Sequence, residues 1–182
     1  MKRRFSLGRF AGLDLSAGPS VLPGSVAIAA LVAFVFRRSG RPTARALSGG
    51  LMAVPLHWLS DLVHNLGHAI AARQTGHPMR GVHFWGVLGM SLYPRDEPPL
   101  PAEIHIRRAL GGPIASTLLA LAAFALRLAV RAPGMGRDLA LFLALDNLIL
   151  GVGALFPLPM TDGGTLRTWW PRRGLPPRGD EA

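Results

Sequence analysis

Hydrophobic and polar positions along the chain sort into four long apolar runs joined by shorter polar segments. Ala17 to Phe36 carries no charge. Ala46 to Ala72 carries one, Asp61, together with His57, His64 and His68. Ala109 to Val130 carries only Arg127, and Leu139 to Leu158 only Asp146. About 20 predominantly apolar helical residues cross a hydrocarbon core of about 30 Å, so the pattern predicts four transmembrane helices. The first run follows Met1-Lys2-Arg3-Arg4 and passes the small residues Ala27, Ala29 and Ala30, as a secretory signal does. It continues without a break to Phe36, which predicts an uncleaved anchor helix. Between the second and third runs, Arg80–Trp85 and Gly89–Tyr93 read as two short strands around a glycine-containing turn. Pro94 to Pro101 reads as irregular chain. The expected fold class is an all-α polytopic membrane protein with four transmembrane helices and one short β-hairpin. Residues 1–170 form its membrane domain and residues 171–182, rich in Pro, Gly and Arg, a disordered basic tail.

Composition supports the membrane reading and removes several chemistries. Of 182 residues, 49% are apolar and 16% charged, against about 25% charged in ordinary soluble domains, and the mean hydropathy is +0.31. Cysteine is absent, which excludes disulfides, thiolate metal sites, a cysteine nucleophile and cysteine-linked lipids. The net charge of +10 fits basic flanks of membrane helices in contact with lipid, with no nucleic-acid partner expected. With four spans, thirteen Lys and Arg residues fall on the side shared by the N-terminal segment, the central loop and the tail, and seven on the other. The positive-inside rule then places both ends of the chain in the cytoplasm, in a plasma or inner membrane. Trp169 and Trp170 beside Arg172 and Arg173 read as an interfacial anchor.

Ionisable groups inside a span are costly and mark function. At 100° per residue His57, Asp61, His64 and His68 fall within about 60° of one another on the second helix, with Asn65 on the flank of that stripe. His64 and His68, one turn apart, have the spacing for joint coordination of zinc. The remaining ligand must come from another span, and Asp146 and Asp162 are the candidates. Asp162 follows Pro157 and Pro159 and precedes Gly163 and Gly164, a context in which the backbone can turn and aim a carboxylate into a cavity. Asp146 and Asn147 are also placed to pair with the polar stripe. His77, His83 and His105 read as loop or hairpin residues.

The ordered set formed by His64-Asn65-Leu66-Gly67-His68, Gly112-Pro113 at the opening of the third span and Asp162-Gly163-Gly164 resembles the site-2 proteases, the M50 family of intramembrane zinc metalloproteases. The resemblance covers about residues 10 to 170. It implies a zinc ion, one per chain, on His64, His68 and Asp162, and a transmembrane segment as substrate or partner. It also implies a membrane-inserted hairpin matching residues 80–93. Three positions depart from the family pattern. The glutamate of H-E-x-x-H, the general acid–base, is Asn65. Two asparagines of the family are Ser116 and Ala154. An amide cannot carry the proton that such a carboxylate transfers from attacking water to leaving amine, and loss of an acid–base costs about 10²–10⁴ in rate. Asp61, one turn before His64, is placed either to accept from the second ring nitrogen of His64 or to serve as a displaced base. The leading expectation is a catalytically impaired, metal-binding member that engages transmembrane segments or a partner. The alternatives are an active protease with a displaced acid–base, and a small carrier or proton conduit built on His57, Asp61 and Asp146.

Overall fold

A computed structural model describes residues 4–176. Residues 177–182, half of the tail assigned to 171–182, and the first three residues lie outside the described residues. The chain runs β1 (Phe5–Phe10), β2 (Leu13–Ala17), α1 (Val21–Arg38), α2 (Thr43–Gln74), β3 (Gly81–Trp85), β4 (Leu88–Leu92), α3 (Ala102–Ala129), α4 (Met135–Ala154) and α5 (Asp162–Trp169), closing on a 3₁₀ turn at Trp170–Arg172. All four apolar runs are helices, with shifted ends. α3 starts seven residues before the expected Ala109, because Ala102, Ile106 and Ala109 continue its buried face toward the N-terminus. Gly112-Pro113 therefore lies well inside α3 instead of opening it. α4 stops at Ala154, short of Leu158, since Pro157 and Pro159 lack the N–H a helix needs and disfavour helical dihedrals before them.

Two of these helices, α1 and α3, are long and apolar enough to cross a membrane. α2 and α4 miss that description because of their polar content. α4 carries Arg137, Asp138 and Asp146, and α2 buries His57, Ser60, Asp61, His64, Asn65 and His68 along one side. These groups face the bundle interior. The outward faces are apolar and open: Leu22 and Val26 on α1, Leu118 and Leu121 on α3 and Ile149 on α4 are each more than 60% exposed. Surfaces this apolar are rare on soluble monomers.

The all-α expectation is corrected by a four-stranded sheet in the order β1-β2-β3-β4. β1 and β2 form an antiparallel hairpin, β3 and β4 a second one, and β2 runs parallel to β3, Leu15 opposite Val82. The expected hairpin is present, slightly trimmed, and turns through Gly86 and Val87, where Gly86 takes φ 58°. The first hairpin was not anticipated. The parallel pairing needs α1 and α2 as its crossover, the kind of long connection parallel strands require. Leu13, Val82 and Phe84 pack with Ala69, Ala72 and Met79 to seat the sheet against the C-terminal half of α2.

α2 lies between α1, α3 and α4. Its approach to α3 is backbone to backbone at the level of the histidines. A Cβ added at Gly67 would collide with the Gly111 carbonyl, and one at Gly111 with that of Gly67. Small residues at such crossings let helices touch, which sets the distance across which side chains of α2 and α3 meet.

Candidate metal centre

His64 and His68 project from one face of α2 toward α3 and α5, and Asp162, the first residue of α5, meets them. The His64 and His68 Nε2 atoms are 3.0 Å apart, His64 Nε2 is 3.3 Å from Asp162 Oδ2, and His68 Nε2 is 3.4 Å from Asp162 Oδ1. One ligand atom from each residue lies within 4.8 Å of the others, so the three side chains form a triangle. With bonds of about 2.0–2.1 Å, the edge of a tetrahedral zinc site is about 3.3 Å, close to the separation of the two rings and to the distance from each ring to its nearer carboxylate oxygen. The two histidines are buried and Asp162 is nearly so.

Each ring is oriented from behind. His68 Nδ1 lies 2.7 Å from the Arg108 carbonyl. A carbonyl only accepts, so Nδ1 carries the proton and Nε2 of the neutral ring presents its lone pair. His64 Nδ1 lies 3.0 Å from Ser116 Oγ, a wholly buried hydroxyl. Of the two roles open to Asp61, acceptor for His64 or displaced base, the first is taken by Ser116. Ser116 had been noted only as a departure from the family asparagine. Its role as the support of His64 depends on the rotation and spacing of α3, which spacing along the chain does not reveal. Gly112 completes the arrangement: a Cβ there would fall against both Nε2 atoms, so the absence of a side chain keeps the triangle open.

Asp162 is aimed by the break between α4 and α5. Met160 sits in the left-handed region at φ 70° and is the conformational switch between the two helices. Thr161 caps α5, accepting from the Gly164 amide while donating to the Leu158 carbonyl. Neither residue stood out in the sequence beside the prolines and glycines. Arg108, counted there as a loop charge, is buried: it pairs with Glu97 at 2.5 Å, donates to the His77 carbonyl and lies 4.3 Å over the Tyr93 ring. It fixes the segment after β4 against the same turn of α3 that holds His68.

The triangle opens into a cavity of about 780 Å³ whose walls include Asp61, Asn65, Ser91, Ala154 and Trp169. Asn65, at the acid–base position of the family, is tied at both ends of its amide. Nδ2 donates to the Asp61 carbonyl at 2.9 Å, which fixes the orientation of the group, and Oδ1 accepts from Ser91 Oγ at 2.9 Å. Asn65 therefore links α2 to β4. The Asp61 carboxylate is buried against the Gly89 backbone, and among the described residues its Oδ2 has no other hydrogen-bond partner.

The rest of the polar stripe forms a separate group. His57 Nδ1 is 2.9 Å from Asp146 Oδ1 and its Nε2 2.8 Å from the Val87 carbonyl. Asn147 donates to Ser60. Asp146 is thus a partner of His57 and stands apart from the triangle. His83 is a buried strand residue 2.9 Å from Ser16 Oγ. His105 stacks on Trp169 with ring centroids 4.0 Å apart, so this tryptophan is engaged with α3, while Trp170 lies under Arg173.

Known proteins resemble the chain in sequence and in fold. The chain is 32% identical over 190 residues to Rip3 of Mycobacterium tuberculosis, in both strain Erdman and strain H37Rv, a protein proposed by its name to be a zinc metalloprotease. That alignment takes in 96% of this chain and 46% of the relative, so the chain spans about half the length of the curated relatives it matches. The site-2 protease from Methanocaldococcus jannaschii superposes with a TM-score of 0.68 over 91% of this chain and 70% of its own, at 21% identity. The chain is thus similar in sequence to a zinc metalloprotease by name and in fold to a site-2 protease. Its fold is site-2 protease-like, mostly helical with a small sheet. No family model matches the chain. The segment His64-Asn65-Leu66-Gly67-His68 sits on the helix that carries two of the three converging residues.

Proposed function

We infer that this chain is a membrane-embedded zinc protein of the site-2 protease family whose peptidase chemistry is impaired, and that it engages transmembrane segments within its cavity. The observation that carries the reading is a contrast at one site. His64, His68 and Asp162 are converged and oriented from behind, while the residue that would move protons beside them is an amide locked between Ser91 and the Asp61 carbonyl. A zinc ion held there would act as a Lewis acid and lower the pKa of water bound to it toward about 7. His64 and His68 would bind through Nε2, held by Ser116 and the Arg108 carbonyl, and Asp162 would supply the third donor. Asn65 can orient a water or a substrate carbonyl by hydrogen bonding but has no proton to exchange at neutral pH. The four long helices cross the bilayer, α2 and α4 with their polar faces turned inward, and both ends of the chain face the cytoplasm.

A second reading, an active protease with a displaced base, is favoured by the buried Asp61 carboxylate on the wall of the same cavity. One experiment separates the two. The full chain is purified in mild detergent, its metal content is measured, and cleavage of a helix-destabilised transmembrane substrate is followed for wild type, Asp61→Asn and the His64→Ala/His68→Ala double variant. The impaired reading expects about one zinc per chain and cleavage no faster than in the double variant. Cleavage that is lost in Asp61→Asn with metal retained establishes the displaced base. Zinc no higher than in the double variant removes both readings. Single cysteines at positions 3 and 178 test the orientation, since a membrane-impermeant thiol reagent should label neither in intact cells.

A further inference from the structure

The opposite end of the bundle holds a second cluster of charged groups that the metal centre does not use. There the turn between α1 and α2 meets the turn between α3 and α4, about 28 Å along α2 from the histidines. The two turns enclose a pocket of about 310 Å³ lined by Arg41, Arg45, Arg127, Arg137 and Asp138. Four guanidinium groups face one carboxylate. Asp138, itself buried, is shared: Arg41 Nη2 donates to its Oδ1 at 2.7 Å and Arg45 Nη2 to its Oδ2 at 2.6 Å. Arg127 and Arg137 have no ion pair among the described residues. The Nε atoms of Arg45 and Arg137 are buried without an acceptor among the described residues.

A pocket of this kind is incomplete as it stands. Buried donors without acceptors are unfavourable, and like charges crowded around a small cavity repel. Asp138 accounts for the link between the α1–α2 turn, α2 and α4, but it leaves a net charge of +3 among the lining side chains. What completes it is a compact anion with several acceptor oxygens, which planar guanidinium forks bind in pairs. The location narrows the chemistry. Both helices apolar enough to cross a membrane, α1 and α3, terminate here, α1 at Arg37 and Arg38 and α3 just beyond Arg127. The pocket therefore sits at the level where apolar chain gives way to lipid headgroups, which carry anionic phosphates in either leaflet.

We propose that the pocket formed by Arg41, Arg45, Arg127 and Arg137 binds a phosphate group. Arg127 and Arg137 supply the uncommitted contacts, and Arg41 and Arg45 are held in place by Asp138. Two sources offer this chemistry, the headgroup of an anionic phospholipid and free inorganic phosphate. Binding would tie the two turns together from outside the helical core and is independent of metal at His64 and His68.

The test uses the full chain in mild detergent with three probes: phosphatidylglycerol, phosphatidylcholine and inorganic phosphate. Retention of lipid is read by native mass spectrometry, and the thermal midpoint is read for all three. Wild type is compared with Arg127→Gln/Arg137→Gln and with Arg131→Gln, which removes a nearby exposed charge outside the pocket lining. Neither pocket substitution breaks an ion pair present in the structure, and circular dichroism of the purified variants verifies folding. At about fivefold per arginine near a membrane surface, the double variant should lose roughly 30-fold in affinity, while Arg131→Gln stays near wild type. Selective retention of phosphatidylglycerol, lost in the double variant, identifies the lipid as the source. A thermal shift with inorganic phosphate alone, lost in the same variant, identifies free phosphate. Binding that survives the double variant, or falls equally in Arg131→Gln, overturns the proposal, as does the absence of any shift or retention with all three probes.

Discussion

Two histidine arrangements share one face of α2, about two turns apart, and they differ in what their ring nitrogens have left to offer. His57 is saturated by the protein, with Asp146 on one nitrogen and the Val87 carbonyl on the other. His64 and His68 are each held by one nitrogen only, and the other two converge with Asp162. Both groups are buried and both contain an aspartate, so burial and composition do not distinguish them. The number of uncommitted lone pairs directed at one point does. A histidine–carboxylate pair closed on itself is a fastening between helices, and the same residue types left open toward a common centre make a ligand set.

The sharpest way to break this comparison is to remove a ring from each group. His64→Ala or His68→Ala should abolish metal binding outright, from about one equivalent to background, whereas His57→Ala should leave it intact. Elemental analysis of purified protein reads both. Equal metal loss in His57→Ala would falsify the division of the stripe into two groups.

The next largest effect concerns the residue between the ligands. Asn65→Glu restores an acid–base beside an arranged site and should raise proteolysis of a helix-destabilised transmembrane substrate by up to about 10²-fold. Because Ser91 donates to Asn65 Oδ1, the gain should be larger in Asn65→Glu/Ser91→Ala, where the new carboxylate is not drawn to β4. If neither variant cleaves, the impairment extends to Ala154 or to substrate positioning.

A smaller effect tests the support behind His64. Ser116→Ala removes the hydroxyl from Nδ1 and should weaken zinc affinity about tenfold, the low end for a group that orients a metal ligand. Competition with a chelator measures it, and Ser116→Asn should recover part of the loss. Asp61→Asn, which does not touch that nitrogen, should leave the affinity near wild type.

The smallest expected change lies in the closed group. His57→Phe deletes both hydrogen bonds and leaves Asp146 buried without its partner, a cost of about 1–3 kcal/mol. It should lower the thermal midpoint without loss of metal. An unchanged midpoint would mean that the pair contributes nothing to fastening α2 against α4.

Much of the helical framework was legible because a long apolar run in a chain with few charges has few ways to fold, and because His57, Asp61, His64 and His68 recur at helical spacing. The convergence of Asp162 with the histidines was legible only through the order of motifs, since no local rule brings α5 back to α2. The first hairpin escaped notice because Phe5 to Phe10 is short, basic and next to a long apolar run. Its parallel partner β3 lies beyond α1 and α2, and a pairing at that separation leaves no trace in local periodicity. The partners of the polar side chains were the least accessible. Ser116 reaches His64, and Ser91 reaches Asn65, because of helix rotation and a backbone contact at Gly67 and Gly111. Spacing alone left Asp61 open to accepting from His64 or to acting as a displaced base, and tertiary placement of α3 gave the first role to Ser116.

The placement of Asp162 at the start of the last helix has a consequence for biogenesis. His64 and His68 leave the ribosome with α2, and the hydroxyl and carbonyl that steady their rings follow with α3. The carboxylate arrives only after α4 has been made and the chain has passed Met160. Until then the nascent protein carries a two-pronged, low-affinity site. On the proposed reading, tight capture of an ion therefore waits until α5 has packed back onto α2.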